Sequence, residues 1–196
     1  MKRSKVFGVV MLVLASLLAV YAFAQKNNKK GATAKKEVLS EDVIHWISLE
    51  ELEQKMKKAP RKVLFDFYTD WCGWCKVMDK KTFANKELAR YVNKHYYAVK
   101  FNAESRTPVT FMGRNYEYMP EYKAHRFAIE MMNGQMSYPT VIIAGENLSF
   151  VNPLPGFQRL DMMESVLKYF ATVKQPSQES WNEYKKNFTA TWAPNE

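Results

Sequence analysis

Val63-Leu64-Phe65-Asp66-Phe67-Tyr68-Thr69-Asp70-Trp71-Cys72-Gly73-Trp74-Cys75-Lys76 is the stretch on which the reading of this chain turns. Its first six residues form a short, strongly apolar run interrupted only by Asp66, as expected of a buried strand. A helix is expected to start at Gly73 or Trp74, which places Cys72 at its mouth. The unpaired N–H groups and partial positive charge of a helix N-terminus stabilise a thiolate there. The thiol pKa then falls below its free value of about 8.5, and thiolate is the form that attacks disulfides. Cys75 stands one helical turn later on the same face. It can attack a mixed disulfide formed by Cys72 and release the reduced substrate. Cys72 is therefore the candidate nucleophile and Cys75 the candidate resolving thiol.

Other uses of a C-x-x-C pair make demands that this sequence does not meet. A zinc site needs a second Cys or His pair. A haem attachment needs His directly after the second Cys, where Lys76 stands. A purely structural disulfide would close too small a loop to stabilise much. The two cysteines are also the only ones among 196 residues. An exported protein stapled by disulfides would scatter several along the chain. The core must hold this fold, which leaves the pair for chemistry.

Toward the N-terminus, residues 1–24 read as a secretory signal. Met1 to Lys5 form a basic start, Val6 to Val20 an apolar run, and Ala22-Phe23-Ala24 an A-x-A cleavage site. The run is short for a membrane span, which needs about 20 apolar residues; an uncleaved anchor is the alternative reading. Residues 25–39 are a basic linker with Lys26, Lys29, Lys30, Lys35 and Lys36. They contribute to a formal net charge of +9. A solvated tether explains them without a nucleic-acid partner, and no nucleic-acid-binding motif is present. No long apolar run follows, so no integral span is expected after signal cleavage.

The globular domain is expected over 40–174, with a helical extension over 175–196. Ser48-Leu49-Glu50-Glu51 fits a capping box for a helix over 49–58, which Pro60 stops. The helix after Cys72 is expected to bend near Thr82-Phe83-Ala84-Asn85. A helix over 86–95 and a strand over 96–101 follow. Val109 to Met112 and Tyr116 to Tyr118 flank Gly113-Arg114-Asn115, which predicts a hairpin. A helix is predicted over 121–132. The strand Thr140 to Ala144 should return through Gly145-Glu146-Asn147 into 148–151. Leu160, Met163, Val166, Leu167 and Phe170 predict an amphipathic helix over 159–172. Trp181, Tyr184 and Phe188 line a last helical segment and are expected to pack onto the domain. Strands alternating with helices indicate an α/β domain.

With those residues in view, the active-site segment resembles that of thioredoxins. It has the buried strand with an aspartate inside it, Trp before the first Cys, Gly after it and Lys after the second. Tyr138-Pro139-Thr140 before an apolar strand resembles the family's cis-proline loop. Lys100-Phe101-Asn102 resembles its lysine-bearing strand. The similarity covers roughly residues 40–172. The resemblance implies a thioredoxin-like fold: a central mixed sheet flanked by helices, here with an insertion over 103–136 before the cis-proline loop. It implies that Asp66 takes the Cys75 proton, that Lys100 tunes Asp66, and that no cofactor beyond the cysteine pair is needed. Trp71, Gly73, Trp74, Tyr138, Pro139 and Thr140 would form the substrate-binding surface. Trp71 would shield the sulfurs, and the Pro139 backbone edge would pair with substrate peptides in strand fashion. Gly-Trp replaces the family's usual Gly-Pro between the cysteines, so redox direction does not carry over.

Three histidines, His45, His95 and His125, lack ligand spacing, and the methionines fit core filling. The resulting expectation is periplasmic or otherwise extracytoplasmic thiol:disulfide exchange. It would act on exported proteins with cysteines or disulfides and be recharged by a membrane electron donor. Reductase or isomerase-type work is favoured because of Asp66 and Lys100. A dithiol oxidase, a non-catalytic peptide-binding module and a Cu(I)-handling protein are the alternatives.

Overall fold

The structure is a computed structural model that describes residues 40–194. The expected signal (1–24) and linker (25–39) lie outside the described residues. No helix among the described residues is long and apolar enough to cross a membrane.

The chain enters through β1 (Trp46–Ile47) and α1 (Leu49–Lys58), then runs along β2 (Lys62–Tyr68). Ser48 caps α1 as expected, its hydroxyl accepting from the Glu51 N–H at 3.1 Å. Glu51 does not complete the expected box; its carboxylate turns to Lys55, 3.4 Å away and one turn on. β2 leads into α2 (Gly73–Met78), which continues as a π-helical turn over Asp79–Phe83. Asn85 then caps α3 (Lys86–His95), accepting from the Leu88 N–H at 3.0 Å. β3 (Tyr96–Asn102) follows at once.

β2 lies between β3, parallel to it, and β8 (Thr140–Ala144), antiparallel. β9 (Val151–Pro155) extends the sheet beyond β8, and β1 extends it beyond β3, giving the order β1-β3-β2-β8-β9. Successive side chains of a strand point to opposite faces, so β2 feeds two cores. Leu64 joins Met78, Phe83, Val92, Ile143 and Leu167 on one face, while Phe65 and Phe67 join Leu52, Phe101, Phe127 and Ile142 on the other. Helices cover both faces of this mixed sheet, which is the expected α/β thioredoxin-like architecture.

The 103–136 insertion is built differently from its prediction. The hairpin pairs β4 (Val109–Phe111) with β5 (Arg114–Tyr116), so its turn is Met112-Gly113 and not Gly113 to Asn115. Both turn residues have positive φ, 51° and 75°, as a two-residue hairpin of matching twist requires. The tip is tied to α1: the Met112 N–H donates to the Glu53 carboxylate at 2.8 Å. The predicted helix over 121–132 shrinks to α4 (Arg126–Met131), because Tyr118–Met119 (β6) pairs with Ala124–His125 (β7) instead. Phe111, Tyr116 and Phe127 then fill the second core.

The return strand lies later than predicted, at 151–155 and not 148–151, because a 3₁₀ turn occupies Glu146–Leu148. α5 (Leu160–Thr172) packs on the first core. α6 (Gln178–Asn187) and the tail beyond it fold back, with Trp181 and Tyr184 packing against that core as expected and Trp192 joining them, while Phe188 stacks on Tyr184 at 5.4 Å. The buried Glu164 carboxylate fastens the tail. It accepts from the Thr191 N–H at 2.9 Å, the Thr191 hydroxyl at 2.7 Å and the Trp192 N–H at 2.9 Å.

Candidate active site

Cys72 is the N-cap of α2, and its sulfur accepts from the Cys75 N–H at 3.0 Å. The helix therefore directs an N–H at the atom that carries charge when Cys72 is a thiolate. The two cysteines form a disulfide with Cα atoms 5.3 Å apart, and both residues are 3% exposed.

Beside the pair the surface is aromatic. Trp71 and Trp74 are 67% and 63% exposed. The Trp71 ring meets Tyr138 edge-on at 5.9 Å, and its indole N–H donates to both carboxylate oxygens of Glu104 at 3.0 Å. Trp74 lies 5.7 Å from Phe157. The Tyr138–Pro139 bond is cis, as the resemblance implies. The Pro139 carbonyl accepts from the Gly156 N–H at 2.8 Å, so the loop and the end of β9 are joined between the two tryptophan contacts.

These contacts refine the expected substrate surface. Pro139 itself has no N–H and its carbonyl is engaged. No backbone hydrogen bond of Tyr138 is made among the described residues, so the open edge is that of Tyr138. Thr140 is buried and its hydroxyl donates to the Ser137 carbonyl at 2.8 Å; its side chain shapes the loop from within. Gly73 is exposed, and a Cβ built there meets no atom within 4 Å. Burial and the nearby Glu104 push the Tyr138 phenol up to about 12, so it stays neutral.

Asp66 is the buried acid, 1% exposed on the β2 face opposite Phe65 and Phe67. Its register partner on β3 is Lys100, whose Nζ donates to Asp66 Oδ2 at 2.8 Å. Burial pushes the Asp66 carboxyl up to about 6, a rise that Lys100 opposes. Desolvation of the charged form is the larger effect. Lys100 also donates to Asp79, at the start of the π turn. Cys75 and Asp79 are four residues apart and so share a helix face, the one turned toward Lys100. A carboxyl titrating near neutrality behind a dithiol can accept a thiol proton.

Of the residues singled out in the sequence, the structure joins Cys72 to Cys75, Asp66 to Lys100, and Trp71 to Tyr138 of the cis-proline loop. Sequence reasoning missed Asp79, Glu104 and Phe157. Glu104 lies two residues beyond the Lys100-Phe101-Asn102 segment, and its N–H donates to the Asn102 side chain at 2.9 Å. No spacing rule marked these three residues. Among the described residues no group of three or more His, Cys, Asp or Glu could hold a metal ion.

Fold and cysteine pair together define a thioredoxin-like thiol:disulfide oxidoreductase. The chain belongs to the Thioredox_DsbH family, described as a protein of unknown function (DUF255), whose model matches residues 34–192. It is 29% identical over 89 residues to the thiol:disulfide interchange protein DsbD of two Campylobacter jejuni strains. That match takes in 41% of this chain but spans only 15% of the length of those relatives. Among solved structures, a thioredoxin-fold protein from Helicobacter pylori matches 72% of this chain and 91% of its own. The TM-score is 0.50 at 19% identity, a likeness of fold. A structure titled DsbH Oxidoreductase matches 67% of this chain and 88% of its own, with TM-score 0.41 and 15% identity.

Proposed function

We propose that this protein carries out extracytoplasmic thiol:disulfide exchange on exported proteins, as a reductase or isomerase. The observation that carries the reading is the Cys72–Cys75 disulfide at a helix N-terminus, with Asp66 buried on the strand that leads into that helix. In the reduced protein Cys72, favoured as thiolate by the N–H groups of α2, attacks one sulfur of a substrate disulfide. The substrate S–S bond breaks and a Cys72 mixed disulfide forms. Cys75 then gives its proton to Asp66 and attacks Cys72 Sγ. The second substrate sulfur leaves as a thiolate, and the Cys72–Cys75 disulfide closes. The substrate gains two electrons and the enzyme dithiol loses them.

Trp71, Trp74 and the Tyr138 backbone edge supply the substrate surface, with Glu104 fixing the Trp71 ring. The export signal read over 1–24 is what supports the extracytoplasmic setting. A reductase there must be recharged, which implies a membrane electron donor. A buried acid titrating near neutrality, read as the base for Cys75, supports the reductive direction, because an oxidase gains more from a stabilised reduced thiolate than from such a base.

Insulin reduction with dithiothreitol as donor tests the reading. The wild-type protein should accelerate it and Cys72→Ser should not. Equal rates for the two proteins would overturn the proposal in favour of a binding module.

A further inference from the structure

We infer that Asp79 is a positioning residue for this exchange: it holds the Lys100 ammonium from the solvent side, leaving the Asp66 carboxylate available to the Cys75 proton. The inference rests on the exchange reading above and deepens it.

Lys100 Nζ is shared between two carboxylates of unequal setting. Asp66 is 1% exposed at its side chain and Asp79 is 43% exposed. The ammonium has little room to choose another partner. The rings of Trp46, Tyr68 and Phe83 surround it, with centroids 5.6, 5.1 and 5.8 Å away. Asp79 reaches it from the point where α2 gives way to the π turn, whose widened bond runs from the Ala84 N–H to the Asp79 carbonyl at 2.9 Å. Such turns recur at functional sites, where they re-aim side chains within a helix. Only Oδ2 of Asp66 is engaged by Lys100. Oδ1 is buried and has no partner among the described residues, so it is the oxygen left to take a proton.

The charges acting on Asp66 are those of Lys100 from β3 and Asp79 from the π turn; Asp79 favours the protonated acid and Lys100 the carboxylate. Other ionisable groups on the elements around it are mostly committed elsewhere. Lys86 faces Asp42 at 4.0 Å, Glu87 accepts from the Ala193 N–H, Arg159 pairs with Asp161, and His45 contacts the Ser40 carbonyl. Lys76, Lys80 and Lys81 lie on the same helical segment as Asp79. Without Asp79 the ammonium would be left to Asp66 alone, and the acid would hold its charge to lower pH. The resolving step is then a proton leaving Cys75 Sγ for Asp66 Oδ1, followed by S–S bond formation between Cys75 and Cys72 and loss of the substrate thiolate.

The test uses the full chain as wild type, Asp79→Asn and Asp79→Glu. The Asp66 carboxyl is titrated by ¹³C NMR in the reduced protein, and insulin reduction is followed from pH 5 to 9. In Asp79→Asn the Asp66 midpoint should fall by about one pH unit. The acid limb of the rate profile should move down with it, and the rate at pH 7 should drop severalfold. Asp79→Glu should restore both. Should Asp79→Asn fail to fold, as read by circular dichroism, Asp79→Ser carries the same comparison. An unmoved midpoint and limb would overturn the inference. If wild type reduces no insulin, the exchange reading fails, while the NMR titration still decides whether Asp79 governs Asp66.

Discussion

Lys100 Nζ stands 2.8 Å from Oδ2 of Asp66, joining a partly exposed cation on one strand to a fully buried acid on the next. Asp66 and Lys100 are register partners, so the contact is set by the parallel pairing of β2 with β3. Lys100 offsets only part of the cost of burying the acid, which is why the carboxyl still titrates near 6.

That imbalance predicts a stability cost tied to the candidate base. The folded-state value, about 6, lies above the ordinary 3.8, so the native state binds the proton more tightly than the unfolded one. Stability is then fully present below about pH 4 and is lost as pH rises toward 6. Asp66→Asn removes the cost. Urea unfolding of the oxidised proteins should show the variant more stable at pH 7.5, by at most roughly 3 kcal/mol. The lost Lys100 contact reduces that gain, and the advantage should vanish near pH 4. A variant less stable at pH 7.5 would mean that the Lys100 pair outweighs desolvation.

Cys75→Ala should hold mixed disulfides that wild type resolves. With Cys75 gone, the adduct on Cys72 has no internal thiol to release it. Non-reducing gels of cells expressing the variant should show dithiothreitol-sensitive adducts, absent from a Cys72→Ser/Cys75→Ala double variant. Identical patterns for the two would count against Cys72 as nucleophile.

The proposed substrate surface predicts that Trp71 and Trp74 contribute more to substrate contact than to the fold. Both are mostly exposed, so alanine at either should change stability by less than about 1 kcal/mol. KM for a disulfide-containing peptide should nevertheless rise severalfold. A large fall in melting temperature with KM unchanged would assign these rings to packing.

The tail is part of the folded unit. Glu164 is buried and its acceptor sites are filled by Lys168, Thr191 and Trp192, which hold its carboxyl below the usual range. A depressed acid contributes stability above its unfolded value that is lost as pH falls through the folded one. Glu164→Ala should cost about 3 kcal/mol or more at pH 7, the usual consequence of breaking a buried charged contact. Glu164→Gln should cost less, and the wild-type advantage over it should shrink below pH 4. Truncation after residue 174 should lower the melting temperature; an unchanged melt would place the extension outside the cooperative unit.

What the sequence made legible was local. The apolar run over 63–68, the capped helix over 49–58 and the helix over 86–95 with Leu88, Tyr91 and Val92 each carry a local pattern, and all three appear with nearly those bounds. Glu121-Tyr122-Lys123 has the composition of a helix start. Pairing of Tyr118 with His125 overrides it, and Lys123 takes a positive φ of 51°. Pro153 and Pro155 fit in β9 because it is an edge, where a missing N–H costs no ladder bond. Asp66 and Lys100 could be paired through a resemblance, whereas Asp79 depends on how a helix end lies over a sheet. Glu104 depends on the path of a loop. Neither relation leaves a mark in residue spacing.

The reductive direction of exchange is the central claim, and the reduction potential of the Cys72/Cys75 couple tests it most directly. Equilibration in glutathione buffers with alkylation of free thiols should give a value below about −200 mV, in the range of reducing thioredoxin-like proteins. A value close to about −120 mV, that of strong dithiol oxidants, would contradict it.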